Sequence, residues 1–301
     1  MGEFGISIPQ VSAPILFAGA TNGNSGLWKS IDEGRSWIEP SNNLLQDTSI
    51  RSILAFGADI YVGEYAGGVQ RSIDNAENWT IPNSPLKIYH VVSLARIGSR
   101  IFAATWGTGS GVQLSIDNGI SWNAVNTGLP DLDGLNKIFA VGNTLFLGTN
   151  NGIYISTDFG TNWTLASGST GNIVLCFGIS GSSMFAGIQP GILKSTDGGL
   201  NWTQILGSGT FYDFVVVGVN IFGASTNGVY LSTNDGETWT QKIQGMTGGY
   251  NIRAIISSGA NLIAGAWGGA GIYYSTDNGE NWIASSFAGG YSPWLYSLLA
   301  K

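Results

Sequence analysis

The sequence predicts an all-β fold: a seven-bladed β-propeller of four-stranded antiparallel blades, closed by the C-terminal strand joining the N-terminal blade. Three observations predict it. A motif S-x-D-x-G-x-x-W occurs seven times along the 301 residues. Its serines, at 30, 72, 115, 156, 195, 232 and 275, stand 42, 43, 41, 39, 37 and 43 residues apart, the length of one four-stranded blade. The last residues of the chain repeat a segment that is missing before the first motif.

The motif reads Ser30, Asp32, Gly34, Trp37 in its first copy and Ser72, Asp74, Ala76, Trp79 in its second. At a tight hairpin the Asp carboxylate accepts backbone N–H groups of its own turn, the Gly takes φ > 0, and the Trp returns as an apolar anchor. Ala76 in place of Gly implies a different or strained backbone, and Asn234 in place of Asp keeps an acceptor without the charge. A structural staple explains the motif better than a calcium ligand, because the D-x-D-x-D-G spacing of calcium loops is absent.

Each repeat holds four strand-like segments, in the second Ile50 to Phe56, Ile60 to Glu64, Val69 to Ser72 and Trp79 to Ile81. The first segment returns as Val91 to Ile97, Leu135 to Val141, Val174 to Ile179, Phe211 to Val217 and Ile252 to Ser258. Ile50 and Ile53, like Leu135 and Ile138 or Ile252 and Ile255, are read as lying on opposite faces of an innermost strand covered on both sides. In the first repeat Ile15 to Gly19 matches the second segment and nothing suitable precedes it. Leu295 to Ala300 aligns with Ile50 to Ala55, so the C-terminus is expected to supply that inner strand and remove an open edge.

Composition narrows the function. Hydrophobic residues make 43% and charged residues 10%, with 46 glycines and 11 tryptophans, which suits short strands and tight turns. No apolar run reaches the roughly 18 residues of a membrane helix. A net charge of −7 with 12 thinly spread Lys and Arg leaves no footprint for nucleic acid or an anionic membrane. Cys176 is the only cysteine and sits in an apolar stretch as an inert core thiol; His90 is the only histidine, so a two-histidine metal site is excluded. No cofactor and no metal site are expected. Residues 1–8 read as an appended leader or disordered N-terminus, 9–301 as a single domain and a monomer. The N-W-T sequons at Asn78, Asn162 and Asn201 arise from the repeat itself.

With these motifs the chain resembles the Asp-box, or bacterial neuraminidase repeat, propellers over residues 14 to 300. That group includes sialidases, xyloglucanases, the sortilin luminal domain and photosystem II assembly factor-like proteins, so the resemblance implies a fold and no single activity. It implies an extracellular or periplasmic protein. In sialidases it would imply three arginines for the substrate carboxylate and an F-R-I-P stretch. Here only Arg51 and Arg253 share a level on the inner strands, and F-R-I-P is missing. Another glycosidase needs two carboxyls about 5 to 10 Å apart, for which Glu64, Asp47, Asp131, Asp133 and Asp213 are candidates.

The expected function is non-catalytic recognition of a glycan or protein partner. The alternatives are a carbohydrate-active enzyme, an assembly scaffold like the photosystem II factors, or a structural repeat. The ligand site is expected off-centre, on the last, first, second and third blades, at the end opposite the Asp boxes. There the loops between second and third strands carry aromatics beside glycines: Glu64, Tyr65; Trp106; and Trp267. Inner-strand residues Arg51, Arg253 and Tyr296 join them, giving exposed rings and polar groups suited to a sugar or a protein side chain. Trp106 and Trp267 are also open to a second reading, as caps on their own blades.

Overall fold

The computed structural model describes residues 14–21, 26–39, 49–80, 90–107, 110–248, 250–288 and 293–301. Residues 1–8, Asp47, Ile81, Thr108 and Gly109 lie outside them. All named elements among the described residues are strands, arranged as seven antiparallel blades in a ring. Numbered from the blade holding Leu16–Thr21, the first strands are Trp294–Ala300, Ser49–Phe56, His90–Ile97, Leu135–Val141, Ile173–Ser180, Phe211–Val217 and Ile252–Ser258. Each touches the next, and the seventh touches the first.

Closure follows the predicted alignment. Leu16 pairs with Ala300 and Thr21 with Trp294, and Ile15 and Lys301 exchange N–H···O bonds of 2.9 Å each. Blades 3 to 7 show four strands each, while the outermost strand of blade 1 is tied by the Lys29–Ile38 bridge and that of blade 2 by Arg71–Thr80. Apolar clusters fill the wedges between neighbouring blades: Phe102, Ala104 and Val112 of blade 3 pack with Leu135, Leu147 and Trp163 of blade 4. Cys176 is fully buried, its thiol pushed up by burial.

The seven hairpins repeat one bonding scheme. The motif serine hydroxyl donates to Asp or Asn two residues on, at 2.8 to 3.0 Å. It accepts the N–H four residues on, also at 2.8 to 3.0 Å, a bond that the motif alone did not suggest. The Asp or Asn accepts its own fourth-neighbour N–H at 2.8 to 3.0 Å. Hydrogen bonds from the Ser121 and Asn201 side chains, then from the backbone, hold Asp117 and Asp197 down to about 2. The sequon side chains Asn78, Asn162 and Asn201 donate to the same carboxylates. Ala76 adopts the left-handed turn with φ 69°, close to Gly119 at 87°, so the backbone is strained there rather than rebuilt.

One expectation is corrected. Ile50 pairs with Glu64 and Ile53 with Val62, residues two apart on the partner strand, so Ile50 and Ile53 share a face. The cause is a bulge: Ser52 pairs with Gly63, leaving Arg51 as an extra residue that restores the alternation. The same shift recurs in all seven first strands.

Candidate functional site

Because the bulge lies near the start of each first strand, it sits at the end of the ring away from the Asp boxes, whose serines close the other end of the third strands. The seven bulged residues are Tyr296, Arg51, Val92, Asn136, Leu175, Tyr212 and Arg253. All seven, with Trp106 and Lys137, line one cavity of about 210 Å³. Contributions from every blade make it axial, where an off-centre position was expected. Its chemistry is off-centre: Val92, Asn136 and Leu175 form one arc, and rings and guanidiniums the other.

The second arc is a ladder of alternating cations and rings. Arg253 Cζ lies 3.8 Å from the centre of the Tyr212 ring and 5.0 Å from Trp267. Trp267 meets Tyr296 edge-on at 4.6 Å and Trp294 at 4.9 Å. Arg51 Cζ stands 3.8 Å from Tyr296 and 5.1 Å from Tyr65, and Tyr65 stacks on His90 at 3.8 Å. Such contacts are worth about 0.5 to 2 kcal/mol each; the Arg253 Nε–H donates to Asn251 Oδ1 at 3.1 Å.

Electrostatics set this mouth apart. Burial lowers the Arg51 pKa, and the like charge of Arg253 lowers it further, opposed by the two tyrosines. Burial raises the Tyr296 pKa against the pull of both arginines. Arg51 Nε is buried with no hydrogen-bond partner in the structure. Among the described residues Lys29, Arg35, Arg71, Lys194 and Lys242 each pair with a carboxylate. Arg51, Arg253 and Lys137 do not, and no Asp or Glu lines the cavity. Three cations of an acidic chain thus gather at its axis, where Lys137 also acts on the buried Asp213 carboxyl.

Of the residues expected at the site, Arg51, Tyr65, Arg253, Trp267 and Tyr296 come together in the ladder. Trp106 lines the same cavity while its indole N–H donates to Leu135 O, so it both caps its blade and borders the mouth. Glu64 is not at the cavity. It is buried beneath the hairpin at Gly67, hydrogen-bonded by Gln70, and burial raises its pKa to about 7 against that bond. Of the other described candidates, Asp131 is exposed and accepts the Asp133 N–H, Asp133 is exposed and accepts the Ser110 hydroxyl, and Asp213 accepts the Ile255 N–H of the next blade at 3.0 Å. Tyr212, Lys137, His90 and Trp294 were missed. Tyr212 had a signal, since it directly follows the first apolar residue of its inner strand, as Arg51 and Arg253 do.

The hairpin geometry and the family match agree. The BNR/Asp-box repeat model matches residues 154–165 and 273–282. This chain is a propeller of Asp-box repeats. No curated protein matches the Asp-box propeller in sequence. Among solved structures it is similar to the extracellular domain of BT4673 from B. thetaiotaomicron, with 13% identity and a TM-score of 0.65 over 84% of this chain and 37% of that one. It is also similar to the GH74 enzyme of Niastella koreensis, with 19% identity and a TM-score of 0.63 over 78% of this chain and 44% of that one. YCF48 bound to D1 peptide matches at 16% identity and a TM-score of 0.64, over 84% of this chain and 90% of that one. The Asp-box propeller thus spans little more than a third of the BT4673 extracellular domain and under half of the GH74 enzyme, and at these identities the likeness concerns the fold. No helix among its described residues is long and apolar enough to cross a membrane.

Proposed function

We propose that this Asp-box propeller is a recognition module that takes a glycan or protein ligand at its axial mouth. The observation that carries the reading is the ladder from Tyr212 through Arg253, Trp267, Tyr296 and Arg51 to Tyr65, whose two guanidiniums face the cavity without a carboxylate partner. Aromatic rings beside guanidinium donors, of which the Arg51 Nε has no partner, suit a sugar ring or a side chain carrying acceptors. Recognition is favoured over glycoside hydrolysis at this mouth because hydrolysis needs two carboxyls flanking the bond, and no Asp or Glu lines the cavity. YCF48, a propeller of similar fold, is known with a bound peptide, which supports a protein ligand. The extracellular domain of BT4673 supports a place outside the cytoplasm.

The test is a glycan array and a peptide array probed with the parent chain and with Arg253→Ala, Trp267→Ala and Tyr296→Ala. A ligand that binds the parent and is lost in folded variants supports the mouth. Undiminished binding in all three variants refutes it, and release of shortened products from a polysaccharide would replace recognition with catalysis.

A further inference from the structure

Among the described residues, the chain passing from one blade to the next closes the rim of the wedge, with one exception. On leaving the fourth strand of a blade, the chain crosses to the next blade and lies along its Asp-box tryptophan. Thr127 O accepts the Trp163 N–H at 2.9 Å, Ser167 O that of Trp202 at 2.9 Å, and Gln244 O that of Trp282 at 2.8 Å. A glycine follows each time: Gly128, Gly168 and Gly245, with φ of 93°, 73° and 88°. A Cβ at these glycines would stand 2.3, 2.1 and 2.2 Å from the tryptophan carbonyl oxygen, so only glycine fits. Leu129 and Met246 then pack in the clusters of Trp163 and Trp282. Lys242, three residues before Gly245, pairs with Glu280 at 2.5 Å, two residues before Trp282.

Blade 5 makes no such crossing. Its fourth strand, Thr203–Leu206, runs four residues where those of blades 3, 4, 6 and 7 run two or three, and it stays paired to its own blade as far as Ile192. The chain then turns to Gly209, whose carbonyl accepts the Gly191 N–H at 2.6 Å, and enters the next blade at Phe211. This is the repeat with the shortest serine spacing, 37 residues. Trp239 is left half-buried, where Trp37, Trp163, Trp202 and Trp282 are at most 4% exposed. Among the described residues no backbone carbonyl accepts its amide. It borders a groove of about 400 Å³ with Ile205, Leu206, Tyr230 and Glu237. Glu237 occupies the place of Glu280 and has no cation partner among the described residues.

We propose that the wedge between blades 5 and 6 docks an extended peptide segment of a partner protein with the pattern Lys-x-x-Gly-apolar. The segment adds beside Trp239 as Lys242 to Met246 adds beside Trp282. Its lysine neutralises Glu237, a carbonyl takes the Trp239 amide, the glycine clears the Trp239 carbonyl, and the apolar residue covers the indole. Recognition through backbone bonds and one charge is the strand-addition mode of peptide binding. This surface lies on the rim and is independent of the mouth.

The probe is a synthetic peptide, Gln-Lys-Ile-Gln-Gly-Met-Thr-Gly, copied from residues 241–248. It is titrated into the full isotope-labelled chain, with the Trp239 signals assigned through Trp239→Phe. The Trp239 amide is expected to shift and to exchange more slowly. Glu237→Lys should weaken binding by about tenfold or more, a loss of roughly 1.4 kcal/mol, and the peptide carrying Gly245→Val should not bind. The proposal is overturned by an unmoved Trp239 at millimolar peptide, or by equal binding of the valine peptide. Self-association that protects Trp239 without peptide and is lost in Glu237→Lys would assign the groove to a second copy instead.

Discussion

The two ends of the ring are built from the same seven repeats and behave oppositely. At the Asp-box end seven hairpins share one set of bonds to within 0.2 Å, and substitutions such as Ala76 or Asn234 keep the scheme intact. At the mouth the backbone bulge is equally regular, yet the seven residues it presents are Tyr, Arg, Val, Asn, Leu, Tyr and Arg. Uniform side chains on a uniform backbone mark scaffold. Varied side chains on a uniform backbone mark a surface freed from structural duty, where a site can be written without disturbing the fold.

The comparison can be broken at several points. The largest effect is expected from deleting residues 293–301, which opens the ring and exposes two sheet edges; cooperative unfolding should disappear in calorimetry, and a parent-like transition would contradict the closure. Trp163→Ala, on the scaffold side, should cost about 3 to 5 kcal/mol in denaturant titration by leaving a cavity between blades 3 and 4, with any mouth ligand still bound. Binding lost at unchanged stability would reverse the assignment.

The ends should also answer pH with opposite signs. Glu64 near the mouth has its pKa raised to about 7 by burial. Its contribution is therefore full below the unfolded value near 4.5 and is lost as pH rises toward 7. Glu64→Gln should stabilise the chain by roughly 2 to 3 kcal/mol at pH 8 and far less at pH 4. Asp117 and Asp197, held at about 2 by bonds from Ser121 and Asn201, contribute above the unfolded value near 4 and lose it as pH falls toward 2. Thermal melts across pH should show a maximum between the two windows. The smallest effect belongs to Ala76→Gly, which relieves a left-handed alanine and should stabilise by about 1 kcal/mol. A loss of stability there would show that the strain is illusory.

The repeat, the blade count and the C-terminal closure were legible because the tryptophan motif and the Leu295 to Ala300 alignment are local patterns read at a fixed spacing. The bulge was not. Ile50 and Ile53 three residues apart read as opposite faces of a regular strand, and only the extra residue Arg51 puts them on one face. The position of Tyr212 after Phe211 matched that of Arg51 after Ile50 and Arg253 after Ile252, but with the bulge hidden nothing showed that this position faces the axis, and Glu64, sequence neighbour of Tyr65, was read with its exposure. Lys137 escaped because it reaches the cavity from the position after the bulge in blade 4.

The hydrogen bonds between Ile15 and Lys301 have a consequence for how the molecule would be mounted. Leu16 pairs with Ser30 of the first Asp box and with Ala300, so both residues emerge at the face opposite the cavity. A linker, a carrier domain or a bead coupled through either residue would leave from one point under blade 1. The molecule would stand on that point like a cup on its foot, its rim turned toward whatever arrives from solution.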